Sequence, residues 1–208
     1  MSIDAIPAKT GTIPTIWRQR LMLLFIIACF AVPLAAAWLL VGRWQPEGSV
    51  HHGQLLNPAR PLAQLRFTTL DGWPLDGAVV RGHWVLIHID SATECDPSCQ
   101  TALYAMRQVR LALGKDMGRV KTLLLLDGLP NAQQRRWLAA EHAATTVGVA
   151  DTVTRTELGD AFGSTGTGGR WIYLLDPLGN LLMRYPAAVE PRGMLKDLKR
   201  LLSLSNIG

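Results

Sequence analysis

The chain has 208 residues, of which 49% are hydrophobic and 18% are charged, and its formal net charge at pH 7 is +5. The basic residues are scattered and form no basic and aromatic stripe, which argues against nucleic-acid binding. The charge is instead typical of general solubility and of affinity for anionic lipid surfaces.

The most apolar stretch, residues 21–41, contains no charged or strongly polar side chain. About 20 such residues cross a bilayer as one helix, and Pro33 is tolerated in a membrane helix. We predict an uncleaved transmembrane anchor over residues 21–41. A cleaved signal peptide is the alternative, although the apolar core of a signal peptide is usually shorter, about 7–15 residues.

Positive residues flank this span unequally. Lys9, Arg18 and Arg20 precede it, whereas Arg43 alone follows it closely. Because positive flanks tend to stay in the cytoplasm, we predict a cytoplasmic tail over residues 1–20 and a single pass through the membrane. The carboxyl-terminal portion then faces the periplasm of a bacterial inner membrane. The mitochondrial intermembrane space is the alternative, and the lack of an amphipathic presequence favours the bacterial setting.

The segment after the span is rich in proline and glycine, so residues 42–61 are predicted as a linker. His51 and His52 lie in it. We interpret them as solvated, with a transient copper or zinc site near the membrane as the alternative. Residues 62–208 suffice for one domain with its own core.

This domain shows alternating strand and helix patterns. A hairpin is predicted over residues 66–76, around Asp71-Gly72. Buried strands are predicted over 82–90 and 120–126, a short third strand over 145–149, and a second hairpin over 171–185. Helices are predicted over 97–113, over 132–143 with Asn131 as its cap, over 156–162 and over 191–204. A βαβ half followed by a ββα half predicts an α/β protein with a thioredoxin-like fold, here with an amino-terminal hairpin extension.

Two cysteines lie outside the span, in Cys95-Asp96-Pro97-Ser98-Cys99, where the first central strand gives way to a helix. A disulfide across so short a loop adds little stability through chain entropy, so the pair points to chemistry. A helix amino terminus stabilises a thiolate, which favours disulfide exchange or the binding of a soft ion such as Cu(I). Cys29, inside the span, is interpreted as a small apolar residue.

Three neighbouring features bear on this chemistry. Across one helical turn two Cβ atoms are about 5–6 Å apart, so we expect a modest backbone adjustment for a disulfide. Glu94 and Asp96 oppose a thiolate at Cys95 and favour a nearby cation; alternatively they are ordinary loop acids. His88, in the preceding strand, is interpreted as a satisfied buried or edge histidine rather than as a ligand.

The chain resembles the Sco family of copper chaperones and thiol–disulfide proteins. The similar features are the anchor, the first hairpin, the strand leading into Cys95 and Cys99, and the turn Asp176-Pro177-Leu178-Gly179. The resemblance covers residues 62–202. It implies a thioredoxin-like domain that acts in cytochrome c oxidase assembly, on an oxidase subunit or another assembly factor.

One departure concerns the copper ligands. Sco proteins carry a histidine nine residues before the proline of that turn, where this chain has Gly168, and residues 151–170 contain no histidine. The resemblance therefore implies catalytic and copper-binding roles for Cys95 and Cys99 alone. A third ligand is either absent or supplied by one of four histidines, namely His51, His52, His83 or His88. The loop of Gly168 and Gly169 is expected to lie near the cysteines.

Two functions follow from these observations. The first is a membrane-anchored thiol–disulfide oxidoreductase that reduces partner cysteines, one cysteine attacking and the other resolving the mixed disulfide, with copper carriage as a second role. The alternative is a non-catalytic assembly or scaffold subunit that keeps the fold without copper or redox chemistry. A peroxide-reducing enzyme is disfavoured because Thr93-Glu94-Cys95 has the wrong spacing for a peroxidatic cysteine.

Overall fold

The computed structural model describes residues 15–40, 51–62, 65–160, 169–205 and 207. The chain divides into two compact units, Met1–Ser49 and Val50–Gly208. The described part of the first unit is the helix α1 (Thr15–Leu40).

Helix α1 is long and apolar enough to cross a membrane over Ile16–Leu39, by length and composition. None of its most apolar stretch is buried against protein. A helix that is apolar on all sides requires an apolar environment, such as a bilayer. The predicted span over residues 21–41 is therefore a candidate membrane span, and a signal sequence near the amino terminus would meet the same criteria.

The second unit is built on one mixed sheet, which has eight strands in the described residues. The strands are β1 (Gln54–Pro61), β2 (Arg66–Thr69), β3 (Pro74–Asp76), β4 (Trp84–Asp90), β5 (Val120–Leu126), β6 (Thr145–Ala150), β7 (Trp171–Leu175) and β8 (Asn180–Pro186). Their order in the sheet is β1-β8-β7-β4-β5-β6-β2-β3. The central strand β4 pairs in parallel with β5 and antiparallel with β7, and only its last residue is not buried.

Further helices cover the sheet: α2 (Pro97–Ala112), α3 (Ala132–Glu141), α4 (Thr152–Asp160) and α5 (Pro191–Leu204). Residues of α2 and α5 pack with Trp84 and Leu86 of β4, while Leu158 of α4 packs with Val85 and Ile87. Because side chains alternate along a strand, every second residue of β4 faces α2. The thioredoxin-like fold predicted from the sequence is confirmed.

The amino-terminal hairpin is present as predicted, since β2 pairs antiparallel with β3 and joins the sheet through β6. Asn131 caps α3 through a hydrogen bond that its side chain accepts from the backbone N–H of Gln134. The helix predicted over residues 156–162 begins earlier, at Thr152. The reason is Asp151, whose Oδ1 accepts a hydrogen bond of 2.7 Å from the Thr154 N–H and so satisfies a first-turn donor.

The linker predicted over residues 42–61 is wrong for its second half. Gln54–Pro61 forms strand β1, which pairs antiparallel with β8 at the edge of the sheet. Pro58 and Pro61 have no backbone N–H to donate, and an inner strand needs these donors. For this reason the sequence predicted a linker here. An edge strand tolerates proline because one of its sides needs no partner.

His52 is bound to the domain rather than simply solvated. The backbone N–H groups of His52 and Gly53 donate to Oδ2 of Asp197 at 2.8 and 3.2 Å. The His52 Nδ1 lies 3.3 Å from Asp197 Oδ1, and the Tyr185 hydroxyl also donates to this buried carboxylate. The His52 side chain is solvated as interpreted, being 45% exposed, but the assignment of this residue to a free linker was wrong, because Asp197 in α5 fixes the start of the domain.

Candidate dithiol site

The cysteine motif lies where β4 ends and α2 begins, as predicted. Asp96 is the N-cap of α2, and its Oδ1 accepts a hydrogen bond of 2.8 Å from the Cys99 backbone N–H. Pro97 follows in the first turn, where a missing N–H breaks no helical hydrogen bond. Asp96 therefore places Cys99 inside the first turn and Cys95 just before the helix, and it is more than an ordinary loop acid.

Cys95 and Cys99 form a disulfide, and their Cα atoms are 5.2 Å apart. This separation is within the usual range for disulfides, about 4.4–6.8 Å. The expected backbone adjustment was wrong, because Cys95 precedes the N-cap and the pair does not span a regular helical turn.

The two cysteines differ in their access to solvent. Cys95 is 8% exposed, whereas Cys99 is 0% exposed and packs with Leu103 and Leu124. A partner from solvent therefore meets the Cys95 sulfur first.

A groove of about 470 Å³ borders Cys95. Most of its lining is uncharged and polar, and four carboxamides contribute to it: Gln100, Asn131, Gln133 and Gln134. Gln134 is 8% exposed, and neither its Oε1 nor its Nε2 has a hydrogen-bond partner. Because both of these atoms are buried, a ligand in the groove meets the exposed carboxamides of Gln100, Asn131 and Gln133 first, and these offer it donors and acceptors. The sequence held no signal for this groove.

His88 of β4 is fully buried on the α2 side of the sheet, and its ring is bonded on one edge only. Its Nδ1 lies 2.9 Å from the Trp171 carbonyl oxygen, which can only accept, so Nδ1 carries a hydrogen. Its Nε2 lies 3.6 Å from Oδ2 of Asp90, and neither atom has a hydrogen-bond partner. His88 is buried as predicted, but the expectation that it is satisfied was wrong for Nε2.

His88, Asp90 and Cys99 together form a cluster of potential metal ligands. Their donor atoms all lie within 4.8 Å of one another, and no other such group of three is found among the described residues. Imidazole and thiolate are suitable ligands for copper and zinc. The cluster, with its unpaired buried Nε2, therefore fits a soft or borderline metal ion. Of the histidines considered as third ligands, only His88 belongs to it.

The loop before β7 lies against the motif, as expected. The Ser98 hydroxyl donates to the Gly169 carbonyl oxygen at 3.1 Å, and the Gly169 N–H donates to Ile89. Gly169 has a φ of +56°, and a Cβ there would lie 3.3 Å from Oδ1 of Asp90. Both its conformation and this close approach favour glycine. Gly168 lies outside the described residues.

A family model described as the transmembrane-like, thioredoxin-like, C-terminal domain matches residues 84–205. The match includes both cysteines, all of β4 and the closing helix α5. No curated protein matches the chain.

Solved structures with a similar fold include several Sco proteins. Apo Sco1 from Thermus thermophilus is 20% identical, with a TM-score of 0.57 and coverage of 74% of this chain and 99% of that one. Copper-bound ScoI from Bradyrhizobium japonicum is 19% identical, with a TM-score of 0.51 and coverage of 68% and 99%. BsSco is 14% identical, with a TM-score of 0.54 and coverage of 70% of this chain and 96% of that one. It is described as a Sco-family cytochrome c oxidase assembly protein with a disulfide switch. The resemblance to Sco proteins is thus confirmed at the level of the fold.

Proposed function

We propose a function for this chain on the premise that it belongs to the transmembrane-like, thioredoxin-like C-terminal domain family. It is a thiol–disulfide reductant of partner cysteines, in which Cys95 attacks and Cys99 resolves. The observation that carries this proposal is that the two cysteines of the disulfide at the start of α2 differ in solvent exposure: Cys95 is 8% exposed and Cys99 is 0% exposed.

The reaction begins with the reduced protein and an oxidised partner. The Cys95 thiolate attacks one sulfur of the partner's disulfide, and the other partner sulfur leaves as a thiolate that takes up a proton. The Cys99 thiol then loses its proton and attacks the Cys95 sulfur, which releases the second partner cysteine. Two electrons pass to the partner, and the protein is left with the Cys95–Cys99 disulfide. An external dithiol must then reduce it for another cycle.

The charges around the motif favour the reducing direction. The amino terminus of α2 stabilises a thiolate, but the carboxylate of Asp96 already accepts the Cys99 N–H and adds a negative charge. Glu94 adds a second negative charge beside Cys95. Because stabilising the reduced form makes a dithiol pair more oxidising, acids that destabilise a thiolate make the pair a better reductant.

The groove beside Cys95 is the binding site for the partner's cysteine-bearing segment. Cys95 forms part of its wall, so a segment lying there places its sulfur against the attacking sulfur. Gln133, which is exposed and lines the groove, offers amide donors and an acceptor to the backbone peptide groups of such a segment. An extended segment has such free peptide groups.

The cellular setting is proposed from the sequence and the related folds. Helix α1 anchors the chain in a bacterial inner membrane, with the amino terminus in the cytoplasm and the Val50–Gly208 unit in the periplasm. The charge asymmetry around the span and the presence of a disulfide support this placement. The partner is a cytochrome c oxidase subunit or another assembly factor, a setting supported by the place of BsSco among the cytochrome c oxidase assembly proteins.

Copper carriage is a second candidate role. Cys95 and Cys99, once reduced, offer two thiolates, which favour Cu(I). The observation that favours this role is the buried Nε2 of His88, which has no hydrogen-bond partner and lies in one cluster with Cys99. Copper is then a cargo of the reduced protein.

Replacing both cysteines by serine in cells tests the proposal against the scaffold alternative. We expect the C95S/C99S chain to reach the membrane in normal amounts, and we expect the amount of assembled oxidase in these cells to fall strongly. Normal oxidase assembly with this variant would exclude both chemical roles and support a non-catalytic assembly subunit.

A further inference from the structure

We infer that the reduced protein binds one copper ion through Cys95, Cys99 and His88. The nitrogen ligand then comes from the central strand β4 instead of the loop position occupied by Gly168. This inference rests on the copper role in the proposed function and adds the third ligand, which the family resemblance left unassigned.

The first observation is a pair of buried acceptor atoms that face each other. Because Nδ1 of His88 donates to the Trp171 carbonyl oxygen, the neutral ring has a lone pair at Nε2. Oδ2 of Asp90 lies 3.6 Å away, and neither atom has a hydrogen-bond partner. Two such atoms are unfavourable together in a buried site unless a proton or a metal ion lies with them. The site is therefore built for a positive charge.

The second observation is the position of the cysteine sulfur. The Cys99 sulfur, His88 nitrogen and Asp90 oxygen lie within 4.8 Å of one another, while Cys99 and His88 are both 0% exposed. Cys95 is bonded to Cys99 in the disulfide and therefore lies next to the cluster. Reduction frees both sulfurs, and the partly exposed Cys95 gives the ion a route in from solvent.

The third observation is how the histidine ring is held. A metal-bound histidine almost always donates its other N–H to a carboxylate, a carbonyl oxygen or water, which fixes the ring and directs its free nitrogen. His88 has this arrangement, since Trp171 at the start of β7 accepts from Nδ1 at 2.9 Å. The loop that carries the histidine in Sco proteins thus leads here to the carbonyl group that orients His88.

The donor set is suited to Cu(I). Two thiolates and one imidazole give a soft three-ligand site, and soft ligands select Cu(I) over harder ions. Asp90, whose side chain is 10% exposed, lies beside this set and can balance a positive ion without being required as a ligand. Gly169 covers the Asp90 carboxylate from the loop side.

The test is a Cu(I) titration of the reduced full-length chain in detergent, in competition with a chromophoric Cu(I) chelator. We expect His88→Gln to weaken Cu(I) binding by at least about tenfold, since even outer-shell partners of a metal site contribute about 10–100-fold. His83→Gln is the matched control, because His83 lies just before the same strand but outside the cluster, and it is expected to bind like the unaltered chain. Thermal melts of the metal-free variants check the fold.

X-ray absorption of the unaltered chain loaded with Cu(I) gives a second readout that needs no substitution in the core. We expect two sulfur ligands and one imidazole ligand. Sulfur-only coordination, or a folded His88→Gln protein that binds Cu(I) as tightly as the unaltered chain, would overturn the inference and make His88 and Asp90 a buried ion pair. The reductant role is judged separately: it fails only if the metal-free dithiol does not exchange with disulfides.

Discussion

The carboxylate of Asp96 accepts a hydrogen bond of 2.8 Å from the backbone N–H of Cys99. One residue therefore fixes the start of α2 and places a negative charge between the two cysteines. The first contribution concerns stability and the second concerns redox chemistry, so different substitutions can separate them.

Replacing Asp96 by asparagine keeps the cap and removes the charge. Because asparagine caps helices about as well as aspartate, we expect little change in the free energy of unfolding. The reduction potential is expected to rise, by up to about 20 mV, because the thiolate is better tolerated. Equilibration with defined glutathione mixtures measures the potential. In Asp96→Ala we expect the same rise together with about 1 kcal/mol of lost stability. An unchanged potential in both variants would show that this carboxylate does not act on the dithiol.

The groove beside Cys95 gives a prediction about substrate size. We expect Gln133→Leu to slow the reaction of the reduced protein with a disulfide-bonded peptide by about tenfold, because the segment loses hydrogen bonds worth about 1–2 kcal/mol. The rate with hydroxyethyl disulfide, which is far smaller and has no peptide groups, is expected to stay the same. Stopped-flow measurement of both reactions distinguishes them, and equal slowing of both would mean that the substitution disturbs the cysteines instead of the groove.

The Asp197 carboxylate is a structural anchor for the start of the domain. It is 2% exposed and accepts hydrogen bonds from the backbone of His52 and Gly53 and from the Tyr185 hydroxyl. We expect Asp197→Ala to lower the free energy of unfolding by about 2–4 kcal/mol, since buried donors lose their acceptor. Glu141→Gln, in an exposed ion pair with Arg107, is the control and is expected to cost less than about 1 kcal/mol. Denaturant unfolding compares them, and equal losses would contradict the assigned role.

His142 makes stability depend on pH. Burial, and secondarily the positive charge of Arg107, lower the pKa of His142, while Glu141 raises it in part. The unfolded chain therefore takes up this proton at a higher pH than the folded chain does. The contribution of His142 to the free energy of unfolding is fully present above the pKa of this residue in the unfolded chain, about 6.5. It is lost as the pH falls below that value.

Denaturant unfolding between pH 5 and pH 8 checks this sign. We expect the free energy of unfolding to fall less steeply towards pH 5 in His142→Gln than in the unaltered chain. If His142→Gln keeps the slope of the unaltered chain, the pKa of His142 is not lowered in the folded protein.

The sequence predicted the site's position better than its surroundings. The apolar run of β4 and the helical spacing after Pro97 placed both cysteines correctly, because burial and periodicity are local signals. His88 and Asp90 are two residues apart on β4, so strand alternation put them on one face, a signal that could have been used. Their lack of other partners, and the free amide of Gln134, depend on contacts between distant segments.

The edge strand β1 shows another limit of sequence patterns. Pro58 and Pro61 are unfavourable in an inner strand, and only the position beside β8 at the sheet edge makes a strand possible. The binding of His52 and Gly53 to Asp197 joins residues 145 and 144 positions apart, which no local pattern encodes.

Trapping of the mixed disulfide tests the central claim most directly, namely that Cys95 attacks and Cys99 resolves. The full-length chain carrying Cys29→Ala, which removes the free cysteine of α1, is the parent chain for this test. It is reduced in detergent, treated with glutathione disulfide and analysed by mass spectrometry. We expect Cys99→Ser in this parent to retain one glutathione on Cys95, and Cys95→Ser to react far more slowly because Cys99 is 0% exposed. The parent itself is expected to end as the internal disulfide. Equally fast and stable labelling of Cys95→Ser and Cys99→Ser, or a lasting adduct on the parent, would contradict the account.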